Sequence, residues 1–225
     1  MPKGTPVTSD LTRKRRILIV DDHAIVRLGM RQLIAAEPDL SICGEAGTAE
    51  QALDAARAAR PDLAIVDLSL GRTSGLELVR QFHESLPEMP VLVLSMHDEA
   101  LFAAPSLRAG ARGYIMKKGA IDGLVQAIRQ VLAGKIYASE DLSQELLAGL
   151  GRNTSSPGSP LGALTDRELE VFELIARGVS TAGIADQLGV SVKTIETYRS
   201  NIKAKLKLKD ATELIRYAAS WTERL

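Results

Sequence analysis

The sequence predicts a doubly wound α/β domain built on a five-strand parallel sheet, followed by a smaller all-helical domain that contains a helix-turn-helix. Three observations carry this. Up to about residue 135, five short apolar runs alternate with five segments of 3.6-residue periodicity, as repeated βα units require. A Gly-, Ser- and Pro-rich stretch over 149–162 then interrupts the pattern. Beyond it every apolar pattern is helical and capped. A chain of 225 residues is comfortable for two such domains at roughly 100–150 residues each.

The runs Ile17 to Val20, Leu40 to Gly44, Leu63 to Val66, Val91 to Leu94 and Gly113 to Met116 read as strands. They are almost continuously apolar, as strands covered on both faces must be. The intervening helices are Ala24–Ala36, Ala49–Ala59, Gly75–Ser85, Glu99–Ala109 and Ile121–Ala133, with a capping box at Thr48 and Gln51 opening the second. A short amphipathic helix is expected over Ser139–Ala148, ahead of a flexible linker at Gly149–Gly162. Thr165 and Glu168 form a second capping box, for a helix that runs through Ala176 and ends at Arg177-Gly178. Ser180 caps a short helix to Leu188, Gly189 turns the chain, and Ser191 caps a helix to about Leu206. A last helix covers Ala211–Trp221. The expected organisation is a disordered basic N-terminus (1–15), an α/β domain (16–135), a short helix and linker (136–162) and a helix-turn-helix domain (163–225).

Composition excludes several classes. With 45% hydrophobic and 25% charged residues the chain is an ordinary globular sequence, neither wholly disordered nor collagen-like. No apolar run approaches the roughly 20 residues of a membrane span. The basic Arg13–Arg16 leads into an apolar stretch that stops at Asp21-Asp22, too short for a signal peptide. Cys43 is the sole cysteine, which excludes an internal disulfide and a Cys-rich zinc site, so a reducing cytoplasm is the expected location. The zero net charge conceals segregation. Residues 17–160 carry 13 Lys/Arg against 18 Asp/Glu, net −5, whereas 193–209 holds six Lys/Arg against Glu196 alone.

In a doubly wound sheet, chemistry gathers beyond the C-terminal ends of the strands. Those ends carry Asp21 and Asp22 (first strand), Asp67 (third), Ser95 (fourth) and Lys117 (fifth). Three converging carboxylates would repel unless they held a hard cation, and Mg²⁺ suits so few carboxylates. A hydroxyl and an ammonium beside them can hold an anion against the metal. An exposed Asp in that setting is a phosphoryl acceptor, and Asp67 is placed for it.

At this point the sequence resembles the NarL/FixJ class of two-component response regulators over nearly its whole length. Residues 16–135 are similar to a receiver domain through Ile19-Val20-Asp21-Asp22-His23, Val66-Asp67-Leu68, Leu94-Ser95-Met96-His97 and Arg108 through Lys117; residues 163–221 are similar to a LuxR-type DNA-binding domain through Val190 to Thr197. The resemblance implies a flavodoxin-like sheet of order 2-1-3-4-5. It implies Asp67 as phosphoacceptor, Asp22, Asp67 and the Ser69 carbonyl as Mg²⁺ ligands with Asp21 acting through water, Ser95 and Lys117 on the phosphoryl oxygens, and Tyr114 as an aromatic switch. It also implies a sensor histidine kinase, promoter DNA and RNA polymerase as partners, and a homodimer on DNA. Three residues depart from the family. Gly71 replaces a Pro and predicts a flexible loop, Pro105 predicts a kink or break in the fourth helix, and Ala182-Gly183 replaces a Lys-Glu pair.

On a helical wheel of 191–206, Val192, Ile195, Ile202 and Leu206 share one face, while Lys193, Thr197, Ser200 and Asn201 lie opposite, with Thr194 and Lys205 flanking. Such a helix can pack on its own domain and enter a major groove. Lys193, Thr194 and Thr197 are expected at base edges; Arg199, Lys203, Lys205, Lys207 and Lys209 at phosphates. Asn201 is on the same polar face, and Tyr198 is either a core edge or a phosphate contact. In the last helix, Leu214, Ile215, Ala218 and Trp221 offer more apolar surface than a four-helix domain needs, which predicts a dimer contact. The acidic body and the basic recognition helix together predict that the two domains dock, restraining DNA binding until phosphorylation.

Two other functions keep the same fold. A haloacid-dehalogenase-like phosphatase would need a second Asp two residues after Asp67, where Ser69 stands. An FMN carrier would need a Gly- and hydroxyl-rich loop after the first strand, where Asp21-Asp22-His23 would repel its phosphate. A phosphorylation-independent regulator is a third reading, and the intact acidic set argues against it. The sequence therefore predicts a regulator and not an enzyme acting on an external substrate.

Overall fold

The computed structural model describes residues 13–70, 73–138 and 160–222. The expected helix at Ser139–Ala148, most of the linker and Gly71 lie outside these residues.

The first domain places strands β1 (Arg15–Val20), β2 (Leu40–Ala46), β3 (Leu63–Val66), β6 (Val91–Ser95) and β7 (Gly113–Met116) in one parallel sheet of order β2-β1-β3-β6-β7. Taking those five alone, this is the 2-1-3-4-5 order. A two-strand antiparallel hairpin, β4 (Ser69–Leu70) with β5 (Thr73–Ser74), stands apart at the C-terminal edge; the sequence predicted only a flexible loop there. Helices α1 (Ala24–Ala35), α2 (Ala49–Ala59), α3 (Gly75–Ser85), α4 (Glu99–Arg108) and α5 (Ala120–Leu132) complete the domain. Ile17, Ile19, Ile65 and Leu92 face one layer with Ile34, Leu124 and Ile128. Leu18, Val20, Val66 and Val93 face the other with Ala52, Val79, Phe82 and Phe102. This two-sided burial is what the continuous apolar runs required.

Pro105 does not break α4, which runs on to Arg108. The missing N–H leaves the Leu101 carbonyl without its usual helical donor, yet Phe102, Ala103 and Ser106 remain buried and hold the turn in place. The first domain also extends past its expected end. Tyr137 pairs with Gly113: its N–H donates to the Arg112 carbonyl at 3.0 Å, and its own carbonyl accepts from Tyr114 N–H at 2.9 Å. The segment 136–137, read as linker, thus covers the outer edge of β7.

The second domain opens with a 3₁₀ turn at Pro160–Ala163 that buries Leu161, so this end of the expected linker is structured. Four helices follow: α6 (Asp166–Ala176), α7 (Thr181–Gln187), α8 (Val192–Leu206) and α9 (Ala211–Thr222). The capping box forms as expected, with Glu168 N–H donating to Thr165 Oγ1 (3.4 Å) and Thr165 N–H donating to Glu168 Oε2 (2.7 Å). Ser180 and Ser191 cap α7 and α8. The turn between these helices passes through Gly189 at φ 62°, a left-handed position that glycine adopts without strain.

Candidate functional site

The C-terminal ends of β1, β3, β6 and β7 bring the expected residues together. Asp21 and Asp67 follow their strands directly and are 1% and 2% exposed. Lys117 leaves β7 in a 3₁₀ turn and reaches back between them, its Nζ 2.7 Å from Asp21 Oδ2 and 2.7 Å from Asp67 Oδ2. Asp22 lies more open at the rim and pairs with His23 Nδ1 at 2.6 Å. The His23 N–H donates to Asp21 Oδ1 at 2.8 Å. Asp21, Asp22, His23 and Asp67 each offer a ligand atom within 4.8 Å of the others. His23 was quoted in the first-strand motif without a role in the pocket, because a His after two Asp residues also reads as the start of a helix.

Two features decide what this pocket can hold. Asp67 Oδ1 is buried with no hydrogen-bond partner, a costly arrangement unless something occupies it. Burial pushes the Asp67 carboxyl above the usual carboxylate range, against the pull of Lys117. Burial also works against the Lys117 ammonium, but Asp67 and Asp21 outweigh it and hold its pKa above the ordinary lysine value. One ammonium thus balances two carboxylates, with a third beside them. An oxygen-only acidic cluster with an orphaned oxygen fits a hard divalent cation.

The peptide that carries Asp67 is held by a close approach. Gly75 N–H donates to the Leu68 carbonyl at 2.8 Å. A Cβ at Gly75 would come within 2.3 Å of the Asp67 carbonyl oxygen and 2.4 Å of Leu68 Cα, so only glycine allows α3 to start there. Ser95 is fully buried at the end of β6, and its Oγ accepts from His97 N–H at 3.1 Å. Tyr114 is 1% exposed, turned inward, with its hydroxyl donating to the His97 carbonyl at 2.8 Å. Burial pushes its phenol well above the usual tyrosine value.

The helix-turn-helix presents a second surface. On α8, Ile195 and Ile202 are buried and Lys193, Thr197, Ser200 and Asn201 are exposed, as the wheel predicts. Thr194, Tyr198, Arg199 and Lys203 are half-buried at its flanks. Thr194 hydrogen-bonds the Ser191 hydroxyl at 2.8 Å, and Thr197 Oγ1 donates to the Lys193 carbonyl at 3.0 Å. Three sequence expectations need correction. Val192 is 45% exposed and lies off the apolar face, because the first turn of α8 projects beyond the domain core. Lys205, expected at a phosphate, is 2.6 Å from Glu168 Oε2 and ties α8 to the start of α6. Leu214 and Ala218 are fully buried inside the four-helix core, so they offer no surface to a dimer; Ile215, at 50% exposure, and the half-buried Trp221 do.

The structure also joins the two domains through residues that sequence reasoning missed. Glu173 on α6 accepts from His97 Nδ1, from Asp98 N–H (3.0 Å) and from Arg177 (2.5 Å). Arg177 donates to the Met96 carbonyl as well, at 3.3 Å. Arg80 on α3 grips both oxygens of Asp166 at 2.8 Å. The docking has the polarity opposite to the one expected: the helix-turn-helix domain supplies the carboxylates and the α/β domain supplies His97 and Arg80. The basic recognition helix takes no part in these bonds. Charge totals could not reveal this, because the residues involved are individual groups inside an acidic body.

Comparison with known proteins agrees with this geometry. Residues 17–129 match the response regulator receiver domain, and residues 162–218 match the bacterial regulatory proteins of the luxR family. The chain is 36% identical over 208 residues to the oxygen regulatory protein NreC of Staphylococcus carnosus, covering 90% of this chain and 96% of that one. A LuxR-family two-component response regulator from an Aurantimonas species is 36% identical and superimposes with a TM-score of 0.56, over 62% of this chain and 99% of that one. RcsB of Salmonella enterica serovar Typhimurium, solved bound to a promoter in the presence of the phosphomimetic BeF3, is 25% identical with a TM-score of 0.62, over 92% of this chain and all of that one. The chain belongs to the LuxR-type response regulators, DNA-binding proteins that join a receiver domain to a helix-turn-helix domain and do not act as enzymes on an external substrate.

Proposed function

We propose that Asp67 accepts a phosphoryl group from a sensor histidine kinase in the presence of Mg²⁺, and that this controls sequence-specific DNA binding. The observation that carries the reading is the Asp67 carboxylate itself: buried, held on Oδ2 by Lys117, and unpartnered on Oδ1 beside Asp21 and Asp22. A carboxylate oxygen of Asp67 forms the new O–P bond as the P–N bond to the kinase histidine breaks, and the electron pair leaves on the imidazole nitrogen. Asp22, Asp67 and the Ser69 carbonyl would hold Mg²⁺, with Asp21 acting through water; when bound, the ion offsets the charge developing on the phosphoryl oxygens. Lys117 and the Ser95 hydroxyl are placed to bind those oxygens afterwards, and Tyr114 to respond when Ser95 moves.

On the DNA side, the exposed Lys193, Thr197 and Asn201, with Thr194 beside them, supply the base-reading face. Tyr198, Arg199 and Lys203 flank it as backbone contacts. A homodimer on promoter DNA would use Ile215 and Trp221, and RNA polymerase would be met there. No helix of the described residues is long and apolar enough to cross a membrane, and the cytoplasm is where kinase and promoter are both within reach.

Acetyl phosphate with Mg²⁺ should label the protein once, on Asp67. Asp67→Asn removes the nucleophile and keeps the shape. Labelling of that variant at the wild-type level would mean that the acceptor lies elsewhere.

A further inference from the structure

We propose that His97 and Glu173 form a latch between the two domains that is released when the acceptor site is charged, so that the helix-turn-helix domain itself sets how readily Asp67 takes up a phosphoryl group. The inference rests on Asp67 being the acceptor and goes beyond it by assigning a partner inside the chain.

His97 is the point where the two sites meet. Its N–H donates to Ser95 Oγ at 3.1 Å, its carbonyl accepts from the Tyr114 hydroxyl at 2.8 Å, and its Nε2 lies 3.0 Å from Ser69 Oγ. The fourth polar group, Nδ1, is bonded to Glu173 of the other domain. The ring is stacked on Phe102 with centroids 4.4 Å apart, which fixes its orientation. Three partners of one residue therefore belong to the acceptor site, and the remaining one to the DNA-binding domain.

The proton inventory gives this chain a direction. Burial opposes the Glu173 charge, but the His97 bond and the Arg177 charge outweigh it and hold the carboxyl below its usual range, so Glu173 is an acceptor only. Nδ1 of His97 must carry the hydrogen, and on a neutral ring Nε2 then accepts from the Ser69 hydroxyl. Ser69–His97–Glu173 forms a continuous hydrogen-bonded path from the loop after Asp67 to α6. The Asp98 N–H and Arg177 reinforce its far end, and the Arg80–Asp166 pair pins the start of α6 to α3.

A phosphoryl group on Asp67 brings roughly −1.5 to −2 charge and oxygens that need donors. For Ser95 to donate to one of them, its Oγ must turn towards Asp67 and away from His97 N–H. Tyr114, bonded to the carbonyl of the same residue, loses its present partner if that peptide shifts. The segment holding His97 and Asp98 would then present both Glu173 donors in the wrong place. The recognition helix is already exposed in the latched state, so release acts by freeing the position of the domain, for instance to pair on DNA, and not by uncovering Lys193 or Thr197.

Coupling between two equilibria is reciprocal. If charging Asp67 weakens docking, docking must weaken the charged state to the same degree. The test uses the full chain with Mg²⁺ and beryllofluoride, an equilibrium stand-in for the phosphoryl group, titrated by calorimetry. Glu173→Gln should tighten beryllofluoride binding by about fivefold or more, although Glu173 lies in the other domain. Arg80→Glu should tighten it too, and Arg80→Glu combined with Asp166→Arg should return it towards wild type. A merely structural role for these residues would not produce that reversal. An affinity for Glu173→Gln within about twofold of wild type, with its thermal melting unchanged, overturns the latch; if that variant unfolds, the charge swap alone decides, and failure of the double variant to reverse the single one overturns it. Absence of beryllofluoride binding by the wild type, with no acetyl phosphate labelling, would instead reject Asp67 as the acceptor.

Discussion

Two groups of buried carboxylates in this molecule have opposite surroundings. At the strand ends, Asp67 keeps an unpartnered oxygen and a pKa raised by burial, with a single ammonium serving two acids. On α6, Glu173 has more donors than it needs and a lowered pKa, because His97, Arg177 and the Asp98 N–H together offset its burial. The middle acid, Glu170, shows the balance between them: it is buried beside Arg167 at 2.5 Å, and burial still pushes its pKa up. A carboxylate left short of donors is a site for something that arrives. One that is fully supplied is a fastening. Function and docking are thus separated by the supply of donors, not by the number of acids.

The comparison breaks most visibly at Lys117. Lys117→Ala leaves Asp21 and Asp67, 1% and 2% exposed, without their shared cation. Removing one partner of a buried pair costs about 3–5 kcal/mol, and urea unfolding in metal-free buffer at neutral pH should show a loss of that order. The sign of the pH dependence follows from Asp67. Its folded-state pKa is already raised, and losing the ammonium raises it further, so protonation favours the folded variant. The deficit should shrink as pH falls through that raised value and be largest above it. A deficit independent of pH would mean that Asp67 is not the group under strain.

Divalent metal gives the next largest effect. Mg²⁺ at about 100 times its dissociation constant should stabilise the receiver by about 2.7 kcal/mol, read as a rise in melting temperature. Asp22→Asn should remove most of that rise while changing the metal-free melting temperature little, since Asp22 sits at the rim. Glu173→Gln should leave the metal response in place, because the α6 carboxylates have no vacant oxygen to offer. An equal loss in both variants would erase the distinction between the two acidic groups.

The same distinction explains what the sequence could reveal. The sheet and its helices were legible because burial on both faces writes continuous apolar runs, and helix starts at Thr48, Thr165, Ser180 and Ser191 announce themselves by capping chemistry. The acceptor pocket was legible because each member falls at a strand end, where topology alone brings them together. The latch was not. His97 and Glu173 are 76 positions apart, on elements whose relative placement no local pattern encodes, and a Glu inside an amphipathic helix reads as solvated. Leu214 and Ala218 failed for a related reason: periodicity identifies an apolar face but does not say whether the four-helix core or a second chain covers it. Pro105 failed because buried neighbours on α4 outweigh the lost backbone bond.

The smallest effects separate two lysines of α8 that the sequence treated as neighbours in function. Lys193 is exposed at the start of the helix with no side-chain partner assigned to it, whereas Lys205 is bound to Glu168. Lys193→Ala should cost about 1–3 kcal/mol on the selected DNA site and much less on random DNA, because a base contact carries sequence information. Lys205→Ala should behave otherwise. Burial raises the Glu168 carboxyl, but the Lys205 and Thr165 hydrogen bonds outweigh it and hold its pKa down. Losing the lysine therefore weakens the capping box that starts α6. At 35% exposure the pair is screened, and about 1 kcal/mol or less is the expected loss of domain stability. DNA affinity should change little, and the slope of affinity against salt should stay as in wild type. Competition binding of both variants on selected and random DNA, with melting curves alongside, reads each quantity separately. A fall in the salt slope of Lys205→Ala by about one would return Lys205 to the phosphate backbone and make its pairing with Glu168 a feature of the unbound state alone.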